Sequence, residues 1–112
     1  MSIRLEKPWL ALNSENVSHL QGQLGVYQIA NEQKEILSIN YAGGRSLFGL
    51  QGELTDLLEK SQGETLYFRV EVNMQYMTRH EELLMIHVAD FGELPEYNQK
   101  IRKHKLGKLS LA

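Results

Sequence analysis

A short segment in the first half of the chain combines small residues with a cation. It reads Gly43-Gly44-Arg45, and Ser46 follows at the predicted start of a helix. Glycine turns and helix starts expose backbone N–H groups, and a guanidinium adds positive charge, so this combination is typical of an anion-binding loop. We therefore predict an anion site formed by Gly43, Gly44 and Arg45, lying beside Tyr27 of a predicted strand.

The composition excludes several classes of site. The 112 residues include no cysteine, which rules out disulfides, thiolate metal sites and a cysteine nucleophile. The segment from His80 to Leu84 contains a glutamate after the histidine, but Leu84 replaces the second histidine of a zinc-protease motif. The glycine pair also lacks the spacing and the Lys-Ser/Thr pair of a P-loop.

Length and charge set the broad class. An apolar fraction of 42% in 112 residues predicts a single domain over residues 1–112. No apolar run approaches the ~20 residues of a membrane span and the first residues lack a signal-peptide core, so we expect a cytoplasmic protein without a membrane partner. The net charge of −2 gives no general attraction to nucleic acid. The basic tail, 99–112, carries the run Lys100–Lys108, which is either a solvated terminus or a contact for phosphates or an acidic partner.

A small antiparallel sheet would position these residues. The alternation of apolar and polar residues predicts strands at Val26–Ala30, Ile36–Tyr41 and Thr65–Asn73. Because a short polar turn joins the first two, they should pair antiparallel. One face of the third strand should be core, formed by Leu66, Phe68, Val70 and Val72. In the second strand we predict one face with Leu37, Ile39 and Tyr41, and the other with Ser38 and Asn40.

Leucines at helical spacing predict the first helix at Leu47–Lys60. Ser46 would cap its N-terminus, and Gly63 is available as a left-handed cap at its C-terminus. Two glycines inside this helix, Gly49 and Gly52, are best explained by close packing of its first turn.

The second helix is predicted at Arg79–Phe91, ending at Gly92. Thr78 and Glu81 have the spacing of a capping box at its start. The inward face would consist of Leu84, Val88 and Phe91. Three residues before the helix should fill core: Met74, Tyr76 and Met77.

The order and motifs of these elements resemble the GIY-YIG nuclease superfamily, specifically its small uncharacterised nuclease-like members. Gly25-Val26-Tyr27 matches the first motif, and Pro95-Glu96-Tyr97-Asn98 matches the end of the last helix region. The resemblance covers about residues 22–98. It implies an α/β (α+β) fold with a small three-stranded sheet, β-β-α-β-α order and helices packed on the sheet.

The resemblance also implies a nuclease site. In active members two motif tyrosines, an arginine and a glutamate surround a divalent metal, Mg²⁺ or Mn²⁺, and hydrolyse phosphodiesters. Tyr27 and Arg45 would take the first tyrosine and arginine roles here. The second tyrosine is replaced by Ser38 and the metal glutamate by Ile86, so Glu82, one helical turn earlier, is the candidate metal ligand. Four residues would lie near this site: Ser38, Tyr41, His87 and Asn98.

Each candidate also has a structural explanation. Tyr27 could be a half-buried strand tyrosine, Arg45 a surface loop residue and Glu82 a solvated helix residue, while His80 and His87 would be helix-surface or boundary histidines. We therefore predict a degenerate nuclease site with weak or no cleavage that retains phosphate or nucleic-acid binding. The alternatives are a protein-interaction module for an acidic partner and an active metal-dependent endonuclease.

Overall fold

A four-stranded antiparallel sheet forms the centre of the computed structural model, which describes residues 4–44, 46, 48–61 and 63–99. In chain order the strands are β1 (Leu10–Ala11), β2 (Gly25–Ala30), β3 (Ile36–Ala42) and β4 (Tyr67–Val72). Their spatial order is β1-β4-β2-β3, so β2 and β4 are central. The helices are α1 (Ser14–Ser18), α2 (Gly49–Lys60) and α3 (Tyr76–Phe91). One further helical turn spans 96–99.

The predicted α+β class and the three predicted strands are confirmed, but the sheet has a fourth strand. In β1, Leu10 pairs with Phe68 and Ala11 with Tyr67 at the free edge of β4. A two-residue strand is too short for an alternating pattern, so its pairing depends on contact with β4. In β4 itself Leu66 and Phe68 mark the core side as predicted, whereas Val72 at the strand end is exposed.

A bulge changes the faces of β3. The antiparallel pairing of β2 with β3 shifts register between Ile29 and Ala30, and Leu37 has no cross-strand partner there. Leu37 therefore packs against the cluster on one side of the sheet, whereas Ile39 belongs to the cluster on the other side. The prediction that Leu37 shares a face with Ile39 and Tyr41 is wrong, because one extra residue reverses the alternation.

The first side of the sheet, which we call the α2 face, is covered by α1 and α2. Leu50 and Leu54 of α2 are buried there, as the leucine spacing predicts. The buried core of this face consists of Val17, Tyr27, Ile29, Ala42, Leu50, Leu54, Leu66 and Phe68.

The start of α2 requires glycine. Gly49 has φ +58°, and a Cβ atom there would lie 2.5 Å from the backbone oxygen of Gln23. Phe48 precedes it in the left-handed conformation and makes no side-chain cap hydrogen bond. The expected close packing of the first turn is present at Gly49, against the preceding loop. The predicted start at Leu47 lies outside the described residues.

The opposite side, which we call the α3 face, is covered by α3 and the N-terminal segment. Its buried core consists of Leu5, Val26, Ile39, Leu83 and Leu84. Helix α3 begins at Tyr76, three residues earlier than predicted, and its N-cap Gln75 makes no side-chain cap hydrogen bond. The reason is a local turn in which the Gln75 N–H donates to Asn73 Oδ1 at 2.8 Å. The predicted capping box of Thr78 and Glu81 is therefore wrong.

The inward face of α3 also differs from the prediction. Leu83, Leu84 and His87 are buried, whereas Val88 is 40% exposed and Phe91 66% exposed. Histidine occupies the inward stripe because its ring nitrogen bonds a main-chain oxygen, and this contact is invisible in an apolar pattern. Met74 and Met77 are exposed, so the prediction that they fill core is also wrong.

The predicted glycine cap is confirmed for α3 but not for α2. Gly92 has φ +84° and caps α3. Gly63 has the left-handed φ of +85°, but the residue that caps α2 is Ser61, so the prediction that Gly63 is the cap is wrong. Among the described residues, none of the helices combines the length and the hydropathy that crossing a bilayer would need.

Candidate functional site

The predicted anion loop has its donors occupied by the protein itself. The Gly43 N–H donates to Ser46 Oγ at 3.0 Å, and the Gly44 N–H donates to the Tyr76 hydroxyl at 3.1 Å. Ser46 Oγ in turn donates to Glu53 Oε1 at 3.0 Å. Ser46 thus closes the loop and does not cap α2. An anion at these N–H groups would have to displace both hydroxyls, and Arg45 lies outside the described residues.

An aromatic group explains the small residue at position 43. A Cβ atom on Gly43 would lie 2.8 Å from Cε2 of Tyr76, so glycine lets this ring approach the loop. Tyr76 packs on Tyr41 with ring centroids 5.4 Å apart, and Tyr41 meets His80 edge-on at 5.0 Å. The predicted site neighbour Tyr41 is therefore part of the contact between β3 and α3.

Tyr27 is a core residue with 8% exposure. Burial, together with the negative charge of Glu53, raises the pKa of the Tyr27 hydroxyl well above its ordinary value, against the opposing effect of a hydrogen bond with Asn40. The hydroxyl is therefore protonated throughout the physiological range. A buried protonated phenol is poorly suited to activating water.

The structure separates the predicted metal ligand from the tyrosine. Tyr27 belongs to the α2 face, whereas Glu82 lies on α3 and pairs with Arg79. Buried Ser38 is on the same side as Tyr27, since it alternates with Ile39 of the α3 face. In the part of the chain that the structure describes, no group of three or more histidines and carboxylates could hold a metal ion.

Asn98 closes the outer edge of the sheet. Its amide accepts from the Ile39 N–H and donates to the Ile39 carbonyl oxygen, both at 2.8 Å. His80 Nε2 lies 2.8 Å from the same oxygen. Because β3 is an edge strand, its outward groups would otherwise be unpaired. Asn98, one of the residues on which the resemblance to the nuclease superfamily rests, thus has a structural role here.

A cleft on the α3 face has the properties of a ligand site. We call it the Arg69 cleft, and it is lined by Trp9, Ile36, Arg69, His87 and Phe91. Its volume is about 460 Å³, and an adjoining cavity of about 170 Å³ shares all of these residues except Trp9. The cleft lies between the second half of α3, the sheet and the N-terminal segment.

Neutral partners hold Arg69 in this cleft. Its Nε donates to Oε1 of buried Gln28 at 2.6 Å, and Nη1 donates to the Lys7 carbonyl oxygen at 3.2 Å. The guanidinium lies over the Trp9 ring, 4.1 Å from the centroid. Gln28 and Arg69 are cross-strand partners on β2 and β4, so the sheet register brings them together.

The charge of Arg69 is only partly offset by its surroundings. Among the described residues the guanidinium forms no ion pair, unlike those of Arg4 and Arg79. Burial lowers the pKa of Arg69 from its ordinary value, and the negative charge of Glu6 offsets this only in part. A guanidinium keeps its proton despite such a shift, so a half-buried positive charge faces the cleft.

Membership in a family follows from the sequence as a whole. A family model described as "Domain of unknown function (DUF7508)" matches residues 3–90. The chain belongs to this family. No curated protein and no solved structure shows significant similarity to the chain. The part that matches the DUF7508 model contains Trp9, Ile36, Arg69 and His87 of the Arg69 cleft, and it stops before Phe91 and Asn98.

Sequence reasoning assigned His87 only as a neighbour of the site and missed Arg69, Gln28 and Trp9. In this DUF7508 domain Arg69 occupies the polar side of an alternating strand, which predicts a solvated side chain. Its burial depends on α3 and the N-terminal segment, which are distant in sequence. The pairing of Gln28 with Arg69 could be recognised only from the register of β2 and β4, which the sequence does not give.

Proposed function

We propose that this chain is a GIY-YIG-like domain with a degenerate nuclease site, and that it binds an anionic ligand without cleaving it. The observation that carries the proposal is Arg69, a half-buried cation without an ion pair among the described residues, facing the cleft. The proposal places this binding in the cytoplasm, in line with a chain that has no cysteine to oxidise.

The electrostatics of Arg69 support binding at this position. A positive charge removed from water is unfavourable unless an opposite charge or dipoles replace the lost hydration. Gln28 and the Lys7 carbonyl provide dipoles, and Trp9 provides an aromatic face. A bound anion would provide an ion-pair partner for Arg69, and its hydrogen bonds to the guanidinium would be charge-assisted.

The absence of efficient cleavage is supported by the positions of two predicted site residues. Hydrolysis of a phosphodiester requires the developing negative charge to be neutralised near the group that activates water. Tyr27 is buried on the α2 face, whereas Glu82 lies on the α3 side and is paired with Arg79. A metal held by Glu82 could therefore not act together with Tyr27.

Binding is tested by an NMR titration of the full chain with inorganic phosphate. We expect the Arg69 Nε–Hε signal of the wild type to shift, and Arg69→Gln to weaken binding by about tenfold or more. Lys60→Gln is the matched control, since it removes one positive charge from α2 on the other side of the sheet. Unchanged phosphate affinity in Arg69→Gln, with the wild-type Nε–Hε signal also unmoved, would refute the proposed site.

Cleavage is tested with single- and double-stranded DNA in Mg²⁺ and in Mn²⁺. We expect no efficient turnover by the wild type. Robust turnover that disappears in Glu82→Gln would show instead that the domain is a metal-dependent nuclease with Glu82 as its metal ligand.

A protein-interaction module is the second candidate function. The observation that favours it is a set of exposed apolar side chains along α3: Met77, Met85, Val88 and Phe91. Exposed apolar patches often mark contact surfaces. Sedimentation velocity at increasing concentration tests the simplest partner, a second copy of the chain. Met85→Lys should then abolish the concentration dependence.

A further inference from the structure

The second polar group of the Arg69 cleft, His87, has a fixed tautomer. His87 Nδ1 lies 2.8 Å from the Glu93 carbonyl oxygen. A carbonyl oxygen can only accept, so Nδ1 carries the proton and donates it in this bond. In the neutral ring Nε2 then presents a lone pair, and it becomes a donor only when the ring takes up a second proton.

Nε2 is available to a ligand in the cleft. In the described part of the chain it has no hydrogen-bond partner, and no buried side-chain nitrogen or oxygen there lacks one, so Nε2 keeps access to solvent. His87 and Arg69 line the same two cavities. A ligand in these cavities can contact both a permanent cation and a lone pair. The ligand that fits is an oxyanion that also carries a proton.

We propose that the Arg69 cleft binds a terminal phosphate group, that is a phosphomonoester, with one proton held between a phosphate oxygen and His87 Nε2. This inference rests on the proposed function and names its ligand class. The second ionisation of a phosphomonoester lies near pH 6, so the group can supply or share a proton near neutrality. A phosphodiester has a single charge and no ionisable P–OH, so it can satisfy Arg69 but not Nε2. The cleft therefore selects a terminal phosphate over a nucleic-acid backbone.

The proton balance of binding is defined. When the free ligand is the dianion and His87 is neutral, binding takes up one proton from solvent. When the free ligand is the monoanion, its own P–OH provides that proton. No covalent bond is formed or broken. Both routes lead to the same complex, in which Arg69 faces the phosphate charge.

Other charged groups surround His87, and the test must separate them from it. On α3 the nearest is Asp90, which is paired with Arg4 of the N-terminal segment. The remaining charged residues that line the cleft are Lys34 and Glu35 of the β2–β3 turn, Arg69 of β4, and Glu93 and Glu96 beyond α3. Any proton exchange by these groups is common to the wild type and a His87 variant, so the difference between the two belongs to His87.

The experiment is an NMR titration of the full chain with methyl phosphate and with dimethyl phosphate at pH 7.5. We expect methyl phosphate to bind about 10- to 100-fold more tightly, which is the value of one charge-assisted hydrogen bond. The His87 ring ¹⁵N signals should move toward the doubly protonated form with methyl phosphate only. His87→Asn should remove most of this preference. His19→Asn, an exposed histidine after α1, should behave like the wild type.

Two results would overturn the inference. Equal affinity for the two probes in the wild type, or methyl phosphate binding without a change in the His87 ring signals, would show that no proton is shared. Both readouts use the wild-type chain, so they decide the matter even if His87→Asn does not fold. Failure of the proposed function gives a different result, in which neither probe binds and the Arg69 Nε–Hε signal does not move.

Discussion

The two faces of the sheet use the same strands in opposite ways. In β2, Tyr27 and Ile29 point to the α2 face and enter an apolar core, whereas Val26 and Gln28 point to the α3 face. The α3 face combines a small core with paired charges, the cavities and Arg69, which forms no ion pair among the described residues.

The difference shows that residue type alone does not locate a binding site. Tyr27, Gly43 and Gly44 are residue types that predict an anion-binding or nuclease site. In the structure they serve packing and internal hydrogen bonds. Arg69 and His87 occupy ordinary positions in a strand and a helix. They are candidates because, among the described residues, Arg69 forms no ion pair and His87 Nε2 has no hydrogen-bond partner.

The largest expected effect comes from opening the core of the α2 face. Phe68 is fully buried on the central strand β4. Phe68→Ala removes packing and leaves a cavity, so we expect a loss of about 3–5 kcal/mol in the free energy of unfolding, measured by urea denaturation. Phe91→Ala, at an exposed position on α3, should change stability by less than about 0.5 kcal/mol. Similar losses of unfolding free energy for Phe68→Ala and Phe91→Ala would contradict the difference between the buried core of the α2 face and the exposed position on α3.

The next effect concerns the charge pair of the α3 face. Arg79 donates to Glu71, and their side chains are 12% and 23% exposed. Arg79→Met leaves the Glu71 carboxylate partly buried without its cation, so we expect a loss of about 1–3 kcal/mol in unfolding free energy. Glu82→Gln is the control, because its carboxylate is more exposed and should contribute less than about 1 kcal/mol. If Arg79→Met leaves the free energy of unfolding unchanged, the Arg79–Glu71 pair does not stabilise the α3 face.

The Arg79–Glu71 pair also predicts that the free energy of unfolding falls at acid pH. The fall should be smaller than the loss expected for Arg79→Met. Burial opposes ionisation of Glu71, but hydrogen bonds from Arg79 and Asn73 prevail and lower its pKa from the ordinary value of 4.5. The folded state therefore binds the proton more weakly than the unfolded state. The stabilisation is complete above that ordinary value and is lost as the pH falls through the lower folded pKa. Urea denaturation between about pH 6 and pH 3 should show a steeper loss for the wild type than for Arg79→Met.

The smallest effect tests the role of Tyr27. Tyr27→Phe keeps the ring and removes only the hydroxyl that bonds Asn40, so we expect a loss of about 0.5–1.5 kcal/mol. Phosphate affinity should not change, since the cleft lies across the sheet. A marked loss of phosphate binding in Tyr27→Phe would place the anion on the α2 face and would reverse the comparison.

Local patterns were sufficient for much of the fold. The alternation around Phe68, the leucine spacing of α2 and the glycine after Phe91 correctly predicted a strand, a helix and a helix end. These features depend on neighbours a few residues away, which is the range that periodicity and capping describe. The patterns did not predict β1 or the bulge at Leu37, because each depends on a partner from another segment, and they did not predict buried His87, whose partner is a main-chain oxygen.

The sequence by itself therefore determined the element types, most of their bounds and the presence of two apolar surfaces for one sheet. The tertiary structure decided which polar groups are satisfied and which are not. Register places Gln28 beside Arg69, and the packing of α3 and Trp9 around the cleft leaves Arg69 half-buried without an ion pair among the described residues. Burial and pairing are properties of segments brought together from across the chain, so the charge that marks the candidate site emerges only when the chain is folded.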